Sequence, residues 1–101
     1  MNQMQQMLMQ AQKMQRELQK AEAALAEKEF KVSKNGMVDV VVLGSLEVKE
    51  INIDKDAVDP DNAEMLAEAI RMAINEANQK IAEEKAAIEE RITGRTGPFG
   101  I

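Results

Sequence analysis

The chain predicts an α+β fold: a long helix, a three-stranded antiparallel meander, and a second long helix. Three observations carry this. Residues 4–25 place apolar side chains at alternating steps of three and four, the period of a helix seam. Residues 30–53 switch to strand-like patterning, interrupted by Asn35-Gly36 and Gly44-Ser45. Residues 62–92 return to helical spacing without a single Gly or Pro.

The first helix is expected over residues 3–28, which are rich in Gln, Met, Ala, Leu, Lys and Glu, all good helix formers. Its seam is Met4, Met7, Ala11, Met14, Leu18, Ala21 and Leu25. At ~1.5 Å per residue such a helix is roughly 40 Å long. A chain of 101 residues has no monomeric core of that length, so the helix should project and its seam should need a partner. Composition points the same way. The chain is 45% hydrophobic, yet Phe30 and Phe99 are its only aromatic residues, a weak basis for a monomeric core.

Strands are expected at 30–34, 37–43 and 46–53. Asn35-Gly36 is a strong hairpin signal, because a type I′ turn needs positive φ at both central residues. In the third strand Leu46 and Val48 share one phase while Ile51 and Ile53 share the other, so a bulge is expected near Lys49-Glu50. In the second strand Val38, Val40 and Val42 alternate with Met37, Val41 and Leu43, which predicts a sheet covered on both faces. One face would take the chain's own helices, and the other would be a candidate for a second subunit.

Residues 54–62 form an acidic connector in which Asp61 or Asn62 can cap the second helix, expected over 62–92. Its apolar stripe is broad from Met65 to Ile81 and narrows to Ile81, Ile88 and Ile92, so the first part should cover the sheet and the rest should project. Residues 1–92 are therefore expected to be one domain. Residues 93–101, with three Gly and one Pro, are expected to be a flexible tail.

Composition leaves catalysis little to work with. The chain has no His, Cys, Tyr or Trp, and neither a nucleophile elbow nor a glycine-rich phosphate loop. No enzymatic activity, cofactor or small-molecule substrate is expected. Asp54, Asp56, Asp59 and Asp61 suggest Ca²⁺ at first sight. An EF-hand loop begun at Asp54 would need Gly and Glu where Asp59 and Met65 stand, so no metal site is expected. The absence of Cys fits a reducing cytoplasm. No segment is apolar enough to span a membrane, and the Gln-interrupted start lacks the pattern of a signal peptide.

The net charge of −5 is unevenly distributed, at +1 over residues 1–49 and −6 over residues 50–101. Up to residue 20 the outward positions of the first helix include Gln12, Lys13, Arg16, Gln19 and Lys20 and no acid. Lys13, Arg16 and Lys20 stand at i, i+3 and i+7, which aligns them in one stripe. Such a face fits the phosphate backbone of a nucleic acid, and its Gln side chains can hydrogen-bond to phosphate or base edges. Arg91 and Arg95 could add to it. The pattern favours backbone contact over sequence reading. A dimeric helical scaffold that binds another protein is the alternative.

The chain as a whole resembles the YbaB/EbfC family of bacterial nucleoid-associated proteins. The resemblance lies in residues 4–15 (Met-Gln-Gln-Met-Leu-Met-Gln-Ala-Gln-Lys-Met-Gln), 38–44 (Val-Asp-Val-Val-Val-Leu-Gly) and 48–54 (Val-Lys-Glu-Ile-Asn-Ile-Asp). It continues through residues 73–81 (Ala-Ile-Asn-Glu-Ala-Asn-Gln-Lys-Ile) and 97–100 (Gly-Pro-Phe-Gly). It implies a tweezer-like homodimer with helical arms around a shared β core. It also implies binding of duplex DNA with low sequence preference, and a nucleoid role in DNA organisation and gene regulation.

Overall fold

The computed structural model describes residues 2–94. Helix α1 spans Gln3–Glu27; strands β1, β2 and β3 span Glu29–Lys34, Val38–Leu43 and Val48–Ile53; helix α2 spans Ala63–Thr93. The strands form one antiparallel sheet in the order β1-β2-β3. The whole measures 71 × 25 × 14 Å, as expected when long helices run past a small sheet.

Helix α1 begins with a capping box. The Gln5 N–H donates to Asn2 Oδ1 at 2.7 Å, and the Asn2 N–H donates back to Gln5 Oε1 at 3.4 Å. At its other end the Lys28 N–H donates to the Leu25 carbonyl at 3.0 Å, and extended backbone at Lys28 turns the chain into β1. The first hairpin is the expected one: Asn35 and Gly36 have φ of 55° and 66°, and the Met37 N–H donates to the Lys34 carbonyl.

The second turn is longer than expected. Leu46 is not a strand residue but sits in the turn at φ 79°, so β3 starts at Val48. The expected bulge is present. Val41 pairs with Glu50 and Val42 with Val48, which leaves Lys49 as the extra residue. The bulge changes the alternation of β3, so Val48, Ile51 and Ile53 all stand on the face that carries Val42, Val40 and Val38.

That face is the core. Phe30, Val32, Val38, Val40 and Val42 are buried beneath α2, whose Ala69, Ala73 and Ala77 are fully buried and whose Ile81 is nearly so. Three alanines at successive i, i+4 steps bring the helix backbone close to the sheet. The opposite face differs from expectation. Met37 belongs to the turn, Lys31, Ser33, Asp39 and Asn52 are exposed, and Val41 is the one buried residue there. The apolar surface left open lies on the helix side instead. Helix α2 lies across β1 and β2, so Val48, Ile51 and Ile53 on edge strand β3 remain 39%, 43% and 40% exposed.

The connector forms two short 3₁₀ turns, Lys55–Ala57 and Pro60–Asn62, capped by the side chains of Asp54 and Asp59. Asn62 occupies the N-cap position of α2, but neither it nor Asp61 makes the expected side-chain cap. Thr93, expected in the tail, is the last residue of α2, which Gly94 closes at φ 70°. The remainder of the expected tail, with Arg95 and Phe99, lies outside the described residues.

A candidate nucleic-acid interface on the helical arm

The distal part of α2 leaves the sheet and lies alongside the C-terminal half of α1. Leu25 is buried, and Leu18 and Ala21 are half-buried, in the same cluster as Ile81, Ile88 and Ile92. The seam of α1 is thus divided. Its lower part packs within the chain, Met14 is half-buried, and Met4, Met7 and Ala11 are exposed.

Several contacts fix the arm to the sheet. The Lys28 ammonium lies 2.6 Å from Glu84 Oε1 on α2 and 5.3 Å from the centre of the Phe30 ring. The Gly44 N–H donates to the Lys28 carbonyl at 2.9 Å, and the Ser45 N–H donates to the Ala26 carbonyl at 3.2 Å. The β2–β3 turn therefore grips the end of α1.

Ion pairing separates the cations into two groups. Lys28, Lys34, Lys49, Arg71 and Lys80 are each paired with a glutamate. Lys28, Lys34 and Lys49 tie the sheet and its junction with the helices, whereas Arg71 and Lys80 pair with Glu68 and Glu76 one turn back on α2. Lys34 holds the Glu76 carboxyl below the usual range through a hydrogen bond, and Lys49 does the same for Glu29, whose carboxylate in turn raises the Lys49 ammonium. Lys13, Arg16, Lys20, Lys31, Lys55, Lys85 and Arg91 are exposed and have no acidic partner among the described residues. Of these, Lys13, Arg16 and Lys20 lie together on α1.

At about 100° per residue, Lys13, Arg16 and Lys20 fall within about 60° of one another and on the side of α1 opposite its seam. Gln12 and Gln19 flank them and are exposed. Glu17 lies between the seam and this stripe, one turn from both Lys13 and Lys20, and makes no ion pair with either. The stripe spans about 10 Å along the helix and presents flexible donors to an extended anion. Arg91, on the distal part of α2, stands among Glu89 and Glu90, so the two helices of the arm differ in charge.

No described helix is long and apolar enough to cross a membrane. Relatives and solved structures place this architecture. A Helicobacter pylori protein, described as uncharacterized and solved by crystallography, superposes with a TM-score of 0.76. The match covers 93% of this chain and 99% of that one at 19% identity, so the likeness is one of fold. A nucleoid-associated protein of Ruminiclostridium cellulolyticum is 41% identical over 90% of this chain and 80% of its own length. A nucleoid-associated protein of Mycoplasmopsis pulmonis is 40% identical over 92% of both chains. The sequence model of the YbaB/EbfC DNA-binding family matches residues 1–96, and the chain belongs to that family.

Proposed function

We propose that this chain binds duplex DNA as a homodimer. It does so with low sequence specificity, altering DNA conformation and contributing to nucleoid organisation and gene regulation in the cytoplasm. The observation that carries the reading is the stripe of exposed cations Lys13, Arg16 and Lys20 aligned on one face of α1, none of them ion-paired, whereas Lys28, Lys34, Lys49, Arg71 and Lys80 each meet a glutamate. Gln12 and Gln19 add hydrogen-bond donors, and Arg91, with Arg95 outside the described residues, is a further candidate phosphate contact. Family membership supports DNA as the partner. The reading calls for no enzymatic step, no cofactor and no small-molecule substrate.

The second subunit would cover the open row Val48, Ile51 and Ile53 on the helix side of β3, where apolar surface continues from the core to an unpaired strand edge. Two subunits would then present six cations on α1 in place of three, and the counterion-release contribution grows with the number of phosphates neutralised. Two arms of fixed angle can clamp or bend the duplex between them.

Binding of a random duplex measured across a salt series tests this. With about six phosphates neutralised per dimer, log affinity should fall against log salt with a slope of roughly −5. Replacing Lys13, Arg16 and Lys20 together by Glu should abolish binding while the dimer persists. Unchanged affinity of that triple variant overturns the site. A second reading, a dimeric helical scaffold for another protein, is favoured by the exposed Met4, Met7 and Leu8. Binding through that apolar surface should barely respond to salt.

A further inference from the structure

We propose that the uncharged tip of α1 pairs with the same tip on another copy of this chain, linking one dimer to the next. No charged side chain occurs between Asn2 and Gln12; Lys13 is the first. Within this stretch Met4, Met7 and Leu8 are 77%, 64% and 59% exposed and, with Gln3, line one shallow apolar cleft.

The occupant is a helix because of the spacing. The three-four ladder that seats Leu18, Ala21 and Leu25 against α2 continues without interruption through Met4, Met7 and Ala11. An apolar repeat of 3.5 is matched by another helix with the same repeat. Within the described chain, the distal stripe of α2 already lies in the cluster that holds Leu18, Ala21 and Leu25. The α1 tip of a second copy has the required stripe.

Charge selects the same occupant. Two uncharged tips meet without repulsion, whereas a nucleic acid would find no cation there. Gln3, Gln10 and Gln15 flank the seam and can hydrogen-bond across a pair, and Met4 and Met7 adapt to a facing side chain more readily than branched residues do. Each contact is small, so pairing should be weak for an isolated tip. It is strengthened when dimers carrying two tips are held near one another on one duplex. That consequence rests on the homodimeric DNA-binding reading above.

Analytical ultracentrifugation of the full chain over a wide concentration range tests the proposal, with Met7→Glu/Leu8→Glu as the variant. The wild-type mass should rise above that of a dimer with concentration. The variant should stay a dimer and bind a random duplex too short to hold two dimers as the wild type does. Because the chain has no Cys, Met7→Cys introduces a single thiol. It should form an inter-chain disulfide on mild oxidation, whereas Lys55→Cys should not. Equal masses for wild type and variant at every concentration overturn the proposal. So does assembly that appears only after residues 95–101 are removed, since the tail would then be the occupant. Loss of DNA binding with assembly unchanged also overturns it. A monomeric variant would uphold tip pairing while defeating the sheet-mediated dimer, so the two readings fail separately.

Discussion

Gly44→Ala isolates the contact that sets the arm on the sheet. A Cβ at this position would lie 1.8 Å from the Leu25 carbonyl oxygen, 2.6 Å from its carbonyl carbon and 3.2 Å from its Cγ. Restoring even 3.0 Å to that oxygen requires a displacement of about 1.2 Å, and the obstacle is helix backbone. Overpacking of this kind costs about 1–3 kcal/mol. The same displacement stretches the bonds from Gly44 N–H to Lys28 and from Ser45 N–H to Ala26, each worth about 1 kcal/mol. With partial relaxation, the variant should lose about 2–4 kcal/mol. Gly36→Ala is the control. At Gly36 a Cβ meets nothing within 4 Å, so its cost of about 1–2 kcal/mol comes from the positive φ of 66° alone. Urea unfolding at equal protomer concentration measures both, and the midpoint should fall with an unchanged slope. A Gly44→Ala loss no larger than that of Gly36→Ala would refute the close-approach argument.

Asn2→Ala removes the side chain that accepts from the Gln5 N–H and should cost about 1 kcal/mol. The loss should appear as fraying of the first turns of α1 in amide hydrogen exchange, while the protection of β2 stays unchanged. Lys34 and Lys49 hold Glu76 and Glu29 below the ordinary glutamate value, so these pairs favour the fold above that value and cease to do so as pH falls through the lowered native values. Lys49, raised by Glu29, favours the fold below the ordinary lysine value and ceases to do so as pH rises through its native value. Thermal melts of Glu29→Gln and Glu76→Gln should show a shallower loss of stability on acidification than the wild type, and equal slopes would count against both pairs.

The elements were legible in the sequence because each rests on local chemistry. The seven-residue ladder marks α1, Asn35-Gly36 marks the first hairpin, and the unbroken run from Ala63 to Thr93 marks α2. The bulge was legible as a phase change between Val48 and Ile51. Its consequence was not, because which face β3 joins depends on pairing across the sheet rather than on β3 alone. The same gap explains the second face. Val41 and Leu43 read as a second apolar layer, but their neighbours across the ladder are Lys31, Glu29 and Glu50, so that face is polar. The stripe of Lys13, Arg16 and Lys20 was legible from helical spacing. Its freedom from ion pairing was not, since Lys28, Lys34 and Lys49 look equally available until their partners on α2 and β1 are placed.

That distinction reconciles an acidic chain with a polyanionic partner. The total of −5 averages over charges that a phosphate backbone would never meet together. Much of the acidity lies in the connector and along α2, and Glu29, Glu68, Glu76 and Glu84 are engaged with neighbouring cations. At physiological salt an exposed charge is screened beyond about 8 Å, so on the proposed reading a duplex lying along α1 would respond chiefly to the charges of that face, Lys13, Arg16 and Lys20 with Glu17 beside them. On that reading the acidic side chains of α2 would act as a directional element, disfavouring the duplex on one side of the arm and leaving the α1 side as the approach. Reversing Glu89 and Glu90 to Lys should therefore tighten binding and make it less dependent on the α1 stripe. A random-duplex titration of that double variant, with and without Lys13, Arg16 and Lys20 replaced, measures the coupling. Strict additivity of the two sets of changes would show that α2 plays no part in directing the duplex.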